Sequence, residues 1–91
     1  MNIEYRSKFV DSFTKILDYI SLDSSNAALH FKQDIKNKIE NIQYMPLQYK
    51  KSIYFDDDNI RDLIFKGYTI VYEINPNMIV IIGIKKYKEN F

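Results

Sequence analysis

The sequence predicts an α+β domain in which an N-terminal helix hairpin packs on an antiparallel sheet of about four strands. Three observations predict this fold. A short alternating segment opens the chain, two segments with apolar residues at the helical period follow, and three β-rich runs joined by short turns complete it. With 91 residues, the chain is expected to form one domain over residues 1–91, because so short a chain cannot hold two hydrophobic cores.

Composition limits the functions open to the chain. Hydrophobic residues at 46% and charged residues at 27% are typical of a globular protein. Cysteine is absent, which excludes disulfides, thiolate metal sites and cysteine nucleophiles. The longest apolar run, Met78 to Ile84, is far too short to span a membrane, and no signal-peptide pattern opens the chain. We therefore expect a soluble cytoplasmic protein, and nothing in the sequence predicts a cofactor or a metal.

The first two elements are a strand and a helix. Asn2 to Arg6 alternates, with Ile3 and Tyr5 on one side, which predicts a short edge strand. From Ser7 the period changes to that of an amphipathic helix, which we expect to end near Leu22. The residues of its apolar face are Phe9, Val10, Phe13, Ile16, Leu17 and Ile20.

A second helix should follow directly. The polar cluster Ser21 to Asn26 can form the turn and cap the new helix, and Pro46 should end that helix by about Tyr44, because proline lacks a backbone donor. The connection is short, so the two helices should form an antiparallel hairpin. The apolar stripe of the second helix is Ala28, Phe31, Ile35, Ile39 and Ile42.

The rest of the chain predicts strands. Leu47 to Asn59 reads as a connection that includes a short strand around Ser52 to Phe55. Short turns at Lys66-Gly67 and Asn75-Pro76-Asn77 separate the later runs and force antiparallel neighbours. The middle run alternates, which predicts a sheet with one dry side, whereas the last run is apolar on both faces and predicts burial on both sides or a covering partner. The three runs are Ile60 to Phe65, Tyr68 to Ile74 and Met78 to Ile84.

A group of residues in these strands carries a family resemblance. Arg61-Asp62-Leu63 lies on one predicted strand, Tyr68 and Tyr72 lie on the next, and Pro46 lies in the loop after the helix hairpin. Together with the order of elements, this pattern resembles the RelE/ParE superfamily of bacterial toxins from type II toxin–antitoxin modules. The resemblance covers nearly the whole chain, and its most specific part looks like the ParE-type pattern of Arg, an acidic residue and Leu, followed by Tyr-x-x-x-Tyr.

The resemblance implies a small toxin that a cognate antitoxin neutralises by wrapping around it. Some family members cleave messenger RNA in the ribosomal A site, and ParE-like members instead poison DNA gyrase; one scaffold hosts both activities. Many ribonuclease members place His or Arg in or just after the last strand, a feature that this chain lacks. An alternative is therefore an inactive toxin-fold protein that acts only as an antitoxin-binding or regulatory module.

The candidate catalytic residues are basic or aromatic. Cleavage at a 2′-OH needs an acid, a base and cations to stabilise the phosphate, and these side chains can supply cations and, from a tyrosine, an acid or a stacking ring. The ribonuclease hypothesis predicts that Lys85, Lys86 and Lys88 lie with Arg61 in one concave, positive patch. The alternatives are a solvated basic end and an arginine that pairs with a carboxylate such as Glu73. The candidates are Arg61, Lys85, Lys86, Tyr87 and Lys88.

Other polar and aromatic residues have simpler interpretations. Tyr68 and Tyr72 are predicted to be core or core-edge residues. His30 lies off the apolar stripe and is predicted to be solvated. The run Asp56 to Asn59 lacks the spacing of a calcium loop and reads as a polar turn. We expect the antitoxin to lay a helix or strand across the sheet and its edges.

Overall fold

In the computed structural model, which describes residues 2–87, a helix hairpin packs on one face of a five-stranded sheet. The predicted α+β class and the order of its elements are confirmed. The helices are α1 (Ser7–Ser21) and α2 (Ser25–Ile42), and the strands are β1 (Asn2–Tyr5), β2 (Lys50–Lys51), β3 (Ile60–Phe65), β4 (Tyr68–Asn75) and β5 (Met78–Lys86).

The sheet has the strand order β1-β5-β4-β3-β2. Strands β3, β4 and β5 form the predicted antiparallel meander, but β1 pairs in parallel with β5, placing Asn2 opposite Met78 and Tyr5 opposite Ile81. The sheet is therefore mixed and has one strand more than the approximate number predicted. The helix hairpin carries the chain from one edge of the sheet to the other, so β1 neighbours the last strand and not the next one.

Helix α2 begins and ends where local chemistry requires. The Ser24 hydroxyl accepts a hydrogen bond from the Ala27 N–H at 3.1 Å, which caps the N-terminus as predicted. The helix ends at Ile42, and the next turn tightens, since the Tyr44 N–H donates to the Asn41 carbonyl. Every residue of the predicted stripe is buried, namely Ala28, Phe31, Ile35, Ile39 and Ile42.

The core lies between the hairpin and the sheet. Phe9 of α1 is buried, and its ring lies 5.4 Å from that of Phe13, which packs against the same core. Tyr72 is fully buried and Tyr68 is half-buried, as predicted. Burial of each large apolar side chain stabilises the fold by about 1.5–3 kcal/mol. The sheet contributes Leu63, Ile70, Tyr72, Ile79, Ile81 and Ile84.

Part of the opposite face of the sheet is also buried, which the prediction of a single dry side did not include. Thr69 and Val71 lie on that face with exposed fractions of 1% and 0%. The connection after β2 lies against this face, because the Ile53 N–H donates to Asp62 Oδ2 at 3.0 Å.

The prediction of a short strand around Ser52 to Phe55 was wrong. Strand β2 contains only Lys50 and Lys51, which pair with Asp62 and Arg61. The amide after Ser52, that of Ile53, donates its hydrogen bond to the Asp62 carboxylate and not to the backbone of a neighbouring strand. A side-chain acceptor of this kind competes with the hydrogen bonds between strands.

A β-bulge interrupts the pairing of β4 with β5. Val71 lies opposite Gly83 and Tyr72 lies opposite Ile81, which leaves Ile82 as an extra residue. A bulge reverses the in-and-out alternation beyond it. It therefore brings Ile84 to the helix side together with Ile81, and it decides which face of the sheet each following residue occupies.

Candidate functional site

The two described lysines of the predicted basic end lie within β5, which extends two residues beyond the predicted limit of Ile84. Lys86 pairs with Tyr68, whose ring packs toward the helices. Lys85 pairs with Thr69 and so belongs to the opposite face by register. The two neighbouring lysines are therefore on different sides of the sheet, and Lys88 lies outside the described residues.

A cleft of about 350 Å³ lies between α1 and the end of β5. We call it the lysine–tyrosine cleft. Sequence reasoning missed its contributions from α1, although Lys15 and Tyr19 are four residues apart and so share one helical face. Its polar lining is Ser12, Lys15, Tyr19, Tyr68, Lys85 and Lys86, above a floor that includes Ile16 and Ile84.

A second cleft, of about 500 Å³, lies on the face of the sheet away from the helices. We call it the open-face cleft. It brings Tyr87 together with Lys50 and Lys51, two basic residues that sequence reasoning did not select. Asp62 also lines it; this residue is 7% exposed, and its Oδ1 has no hydrogen-bond partner among the described residues. The cleft thus combines buried acidic and exposed basic groups.

Arg61 lies apart from both clefts and holds a loop. Its Nε donates to the Asp58 carbonyl at 2.9 Å and its Nη1 donates to the Tyr49 carbonyl at 3.1 Å. The alternative in which Arg61 pairs with Glu73 is not what the structure shows, because Glu73 instead accepts from the Asn75 side chain at 3.3 Å. Arg61 therefore ties the residue before β2 to the segment before β3.

The distance between Arg61 and Lys86 follows from the strand register. Lys86 lies opposite Tyr68, which lies opposite Phe65, four residues beyond Arg61 on β3. At about 3.3 Å per residue, these positions are about 13 Å apart along the strands, and they are also two strands apart. The structure brings Lys85 and Lys86 to one cleft and Tyr87 to another, and Arg61 joins neither.

The same loop is held by a buried tyrosine. The Tyr72 hydroxyl donates to the Pro46 carbonyl at 2.6 Å, and its ring meets that of Tyr49 edge-on at 6.3 Å. Burial raises the pKa of Tyr72 well above its usual range, although the positive charge of Arg61 acts in the opposite direction. Tyr72 is thus a neutral donor at physiological pH and is suited to structure more than to proton transfer.

The remaining polar candidates lie at the surface. His30 is exposed, as predicted. Asp58 forms an exposed ion pair with Lys51 at 2.6 Å, and this hydrogen bond lowers the pKa of the Asp58 carboxyl. In the described range 2–87, no cluster of His, Cys, Asp or Glu is suited to hold a metal ion. No helix in that range is long and apolar enough to cross a bilayer.

A third concave surface runs between the two helices. It measures about 390 Å³, and Lys32 and Lys36 of α2 line it together with apolar residues. Val10 on its wall is 46% exposed. We call this surface the helix groove. Its apolar lining includes Phe9, Val10, Phe13, Leu17, Ile35 and Ile39.

Comparison with solved structures places this arrangement of hairpin, sheet and clefts among known folds. The chain is similar to a chain of the chromosomal ParDE TA system from P. aeruginosa, with a TM-score of 0.76, 20% sequence identity, and coverage of 94% of this chain and 95% of that one. At this identity the match establishes a shared fold. No curated protein sequence matches the chain closely enough to count as a relative.

The family follows from the sequence match. Residues 3–91 match the model of the ParE toxin of the type II toxin–antitoxin system, parDE, and the chain belongs to this family. It is therefore the toxin component of a type II toxin–antitoxin system, and its partner is an antitoxin. The RelE/ParE resemblance that Arg61, Tyr68 and Tyr72 indicated is confirmed.

Proposed function

We propose that this toxin arrests growth by binding and inhibiting DNA gyrase, without cleaving RNA. The observation that carries the proposal is the position of Arg61, whose guanidinium is bound to the carbonyls of Tyr49 and Asp58. These two bonds engage the Nε and Nη1 donors and fix the side chain against the loop, which favours a structural role for Arg61 over a role in clamping a phosphate. The ParE-type pattern of the sequence supports the same target, because ParE-like toxins act on gyrase.

Inhibition by binding requires a contact surface, and the segment after α2 offers one. Tyr44, Met45 and Leu47 are exposed by 75%, 61% and 64%. Contiguous exposed apolar side chains of this kind commonly anchor a protein partner. We propose that this segment, the post-hairpin loop, contacts gyrase.

Purified gyrase and a relaxed plasmid test this proposal directly. The wild-type chain should inhibit supercoiling, and the double variant Met45→Ser/Leu47→Ser should need at least about tenfold more protein for the same effect, as loss of two interface anchors predicts. Leu29→Ser is the matched control, since Leu29 is 51% exposed on α2. Normal supercoiling in excess wild-type protein would exclude gyrase as the target.

A second candidate function is ribosome-dependent mRNA cleavage, which the open-face cleft favours. This cleft places Tyr87 near Lys50 and Lys51, so a possible acid and two cations share one surface. Mapping of mRNA 5′ ends minutes after induction tests it. In-frame cleavages that disappear in a Lys50→Gln/Lys51→Gln variant would establish this function, whereas absence of any growth arrest would favour an inactive, antitoxin-binding module.

Two surfaces of the described chain suit the antitoxin. The helix groove suits an amphipathic helix whose apolar face covers Val10 and whose carboxylates meet Lys32 and Lys36. The edge of β3 suits an added strand: in the described part of the chain, β2 pairs only with Arg61 and Asp62, and Ile64 further along is 52% exposed.

Two substitutions separate these docking modes. Val10→Glu places a charge in the groove and Ile64→Glu places one at the sheet edge, while both leave the buried core intact. If the groove carries the antitoxin helix, Val10→Glu should weaken co-purification with the cognate antitoxin. An effect of Ile64→Glu alone would assign recognition to the edge.

A further inference from the structure

The lysine–tyrosine cleft concentrates positive charge on a molecule that is nearly neutral overall. The whole chain carries 13 Lys and Arg against 12 Asp and Glu, yet among residues 2–87 no carboxylate lines this cleft. Asp11 and Asp18 neighbour Lys15 along α1 but lie outside the lining. Lys15 and Lys86 are both exposed and face the same space from two different elements. The cleft is therefore suited to an anion.

Aromatic and hydroxyl groups stand beside these cations. Tyr19 is 70% exposed, so one ring face is available to a flat ligand. Tyr68 is half-buried and is fixed by a ring contact of 5.4 Å with Phe31. The hydroxyls of Ser12, Tyr19 and Tyr68 can donate hydrogen bonds to phosphate oxygens. The cleft thus combines phosphate donors with a stacking surface.

We propose that the lysine–tyrosine cleft binds a short segment of single-stranded nucleic acid, with phosphates on Lys15 and Lys86 and a base stacked on Tyr19. Single-strand sites of many proteins combine basic groups that follow the backbone with aromatic rings that hold bases. A volume of about 350 Å³ is at the lower end of small-ligand sites and fits one nucleotide unit at a time. An acidic peptide would use the lysines but would leave the exposed ring without a role.

This inference goes beyond the proposed gyrase inhibition and does not depend on it. The binding measurement uses only the purified chain and an oligonucleotide, so its failure would leave the gyrase proposal untouched. It also differs from the mRNA-cleavage candidate, because that candidate uses Tyr87 and the open-face cleft on the other side of the sheet.

Fluorescence anisotropy with a labelled deoxythymidine 12-mer tests the proposal at several salt concentrations. Log affinity falls as log salt rises, and each phosphate contact with a single strand contributes about 0.7 to the steepness of that fall. Lys15→Gln/Lys86→Gln should therefore make the slope less steep by about 1.4. The matched control is Lys8→Gln/Lys36→Gln, which removes two exposed lysines that do not line the cleft. This control should retain the wild-type slope.

The ring is tested separately. Tyr19→Ala should weaken binding by about fivefold or more, the loss that removal of one stacking ring causes. Tyr44→Ala, which removes another exposed tyrosine away from the cleft, should bind as the wild type does. Circular dichroism of all variants should show that they fold.

Three results would overturn the proposal. The first is no binding at about 50 mM salt, where electrostatic contacts are strong. The second is an equal loss in the cleft and control lysine variants, which would indicate diffuse attraction. The third is a labelled oligo-glutamate that binds with the same affinity as the oligonucleotide and whose affinity is unchanged by Tyr19→Ala. This result would assign the cleft to an acidic protein segment.

Discussion

Replacement of Arg61 by methionine separates a structural role from a role in contacting the target. Methionine keeps much of the aliphatic length of arginine but cannot donate to the carbonyls of Tyr49 and Asp58. The bond to Tyr49 is part-buried and the bond to Asp58 is exposed. If Arg61 holds the loop, Arg61→Met should destabilise the fold.

The size of the effect follows from these two bonds. The part-buried bond should contribute about 1–2 kcal/mol and the exposed one about 0.5–1 kcal/mol, so the free energy of unfolding should fall by about 1.5–3 kcal/mol. For a domain of this size, a loss of about 2 kcal/mol lowers Tm by about 8–16 °C. Arg61→Lys should lose nearly as much, because an ammonium cannot reproduce the two-pronged geometry.

Thermal unfolding at neutral pH measures this change. Lys66→Met is the matched control: it also removes one positive charge, and its ion pair with Asp34 is long, at 3.4 Å, and exposed. It should cost only about 0–0.5 kcal/mol. Growth arrest should persist in Arg61→Met at a temperature where the variant is folded. A variant with wild-type Tm and no growth arrest would refute the reasoning and return Arg61 to the functional site.

Three further predictions concern stability. Burial raises the pKa of Tyr72 above its usual value of about 10. The contribution of Tyr72 to the free energy of unfolding is therefore complete below pH 10, and above pH 10 it falls by up to about 1.4 kcal/mol per pH unit. Tyr72→Phe should be less stable than the wild type at pH 7, because it leaves the Pro46 carbonyl without its donor. Urea unfolding should show that the difference in unfolding free energy between the two proteins is smaller at pH 11. Gly67 has φ +83° and a Cβ there would meet open space, so Gly67→Ala should cost about 1–2 kcal/mol from backbone strain alone, with an unchanged Tm contradicting this. Ser24→Ala removes the acceptor for the Ala27 N–H and should cost about 1 kcal/mol in thermal unfolding, and a neutral result would show that solvent caps α2 equally well.

Local chemistry was sufficient to predict the elements. Ser24 caps α2, the predicted stripe from Ala28 to Ile42 is buried, and the turn at Lys66-Gly67 has positive φ at both residues. Each of these features depends on neighbours within a few positions along the chain, so periodicity and residue type encode it. The family resemblance could also be recognised from the sequence, because it depends on the spacing of Arg61 and the two tyrosines along the chain.

Contacts between distant segments were not accessible in this way. The packing of the elements decides whether β1 lies beside β5 and whether Arg61 binds Glu73 or two loop carbonyls. It also decides whether Lys15 and Lys86 line the same cleft. Strand pairing and side-chain hydrogen bonds of this range have no signature in local periodicity.

The β-bulge at Ile82 makes the distinction concrete. From the sequence, Met78 to Ile84 is an apolar strand followed by basic residues, and regular alternation would place Lys85, not Lys86, on the same side as Ile81. The extra residue reverses that order and sends Lys86 to the helix side, where it meets α1. The sequence by itself determined that a basic end follows the last strand, and only the tertiary structure decided which lysine lies on the helix side of the sheet, because the bulge depends on register against a neighbouring strand.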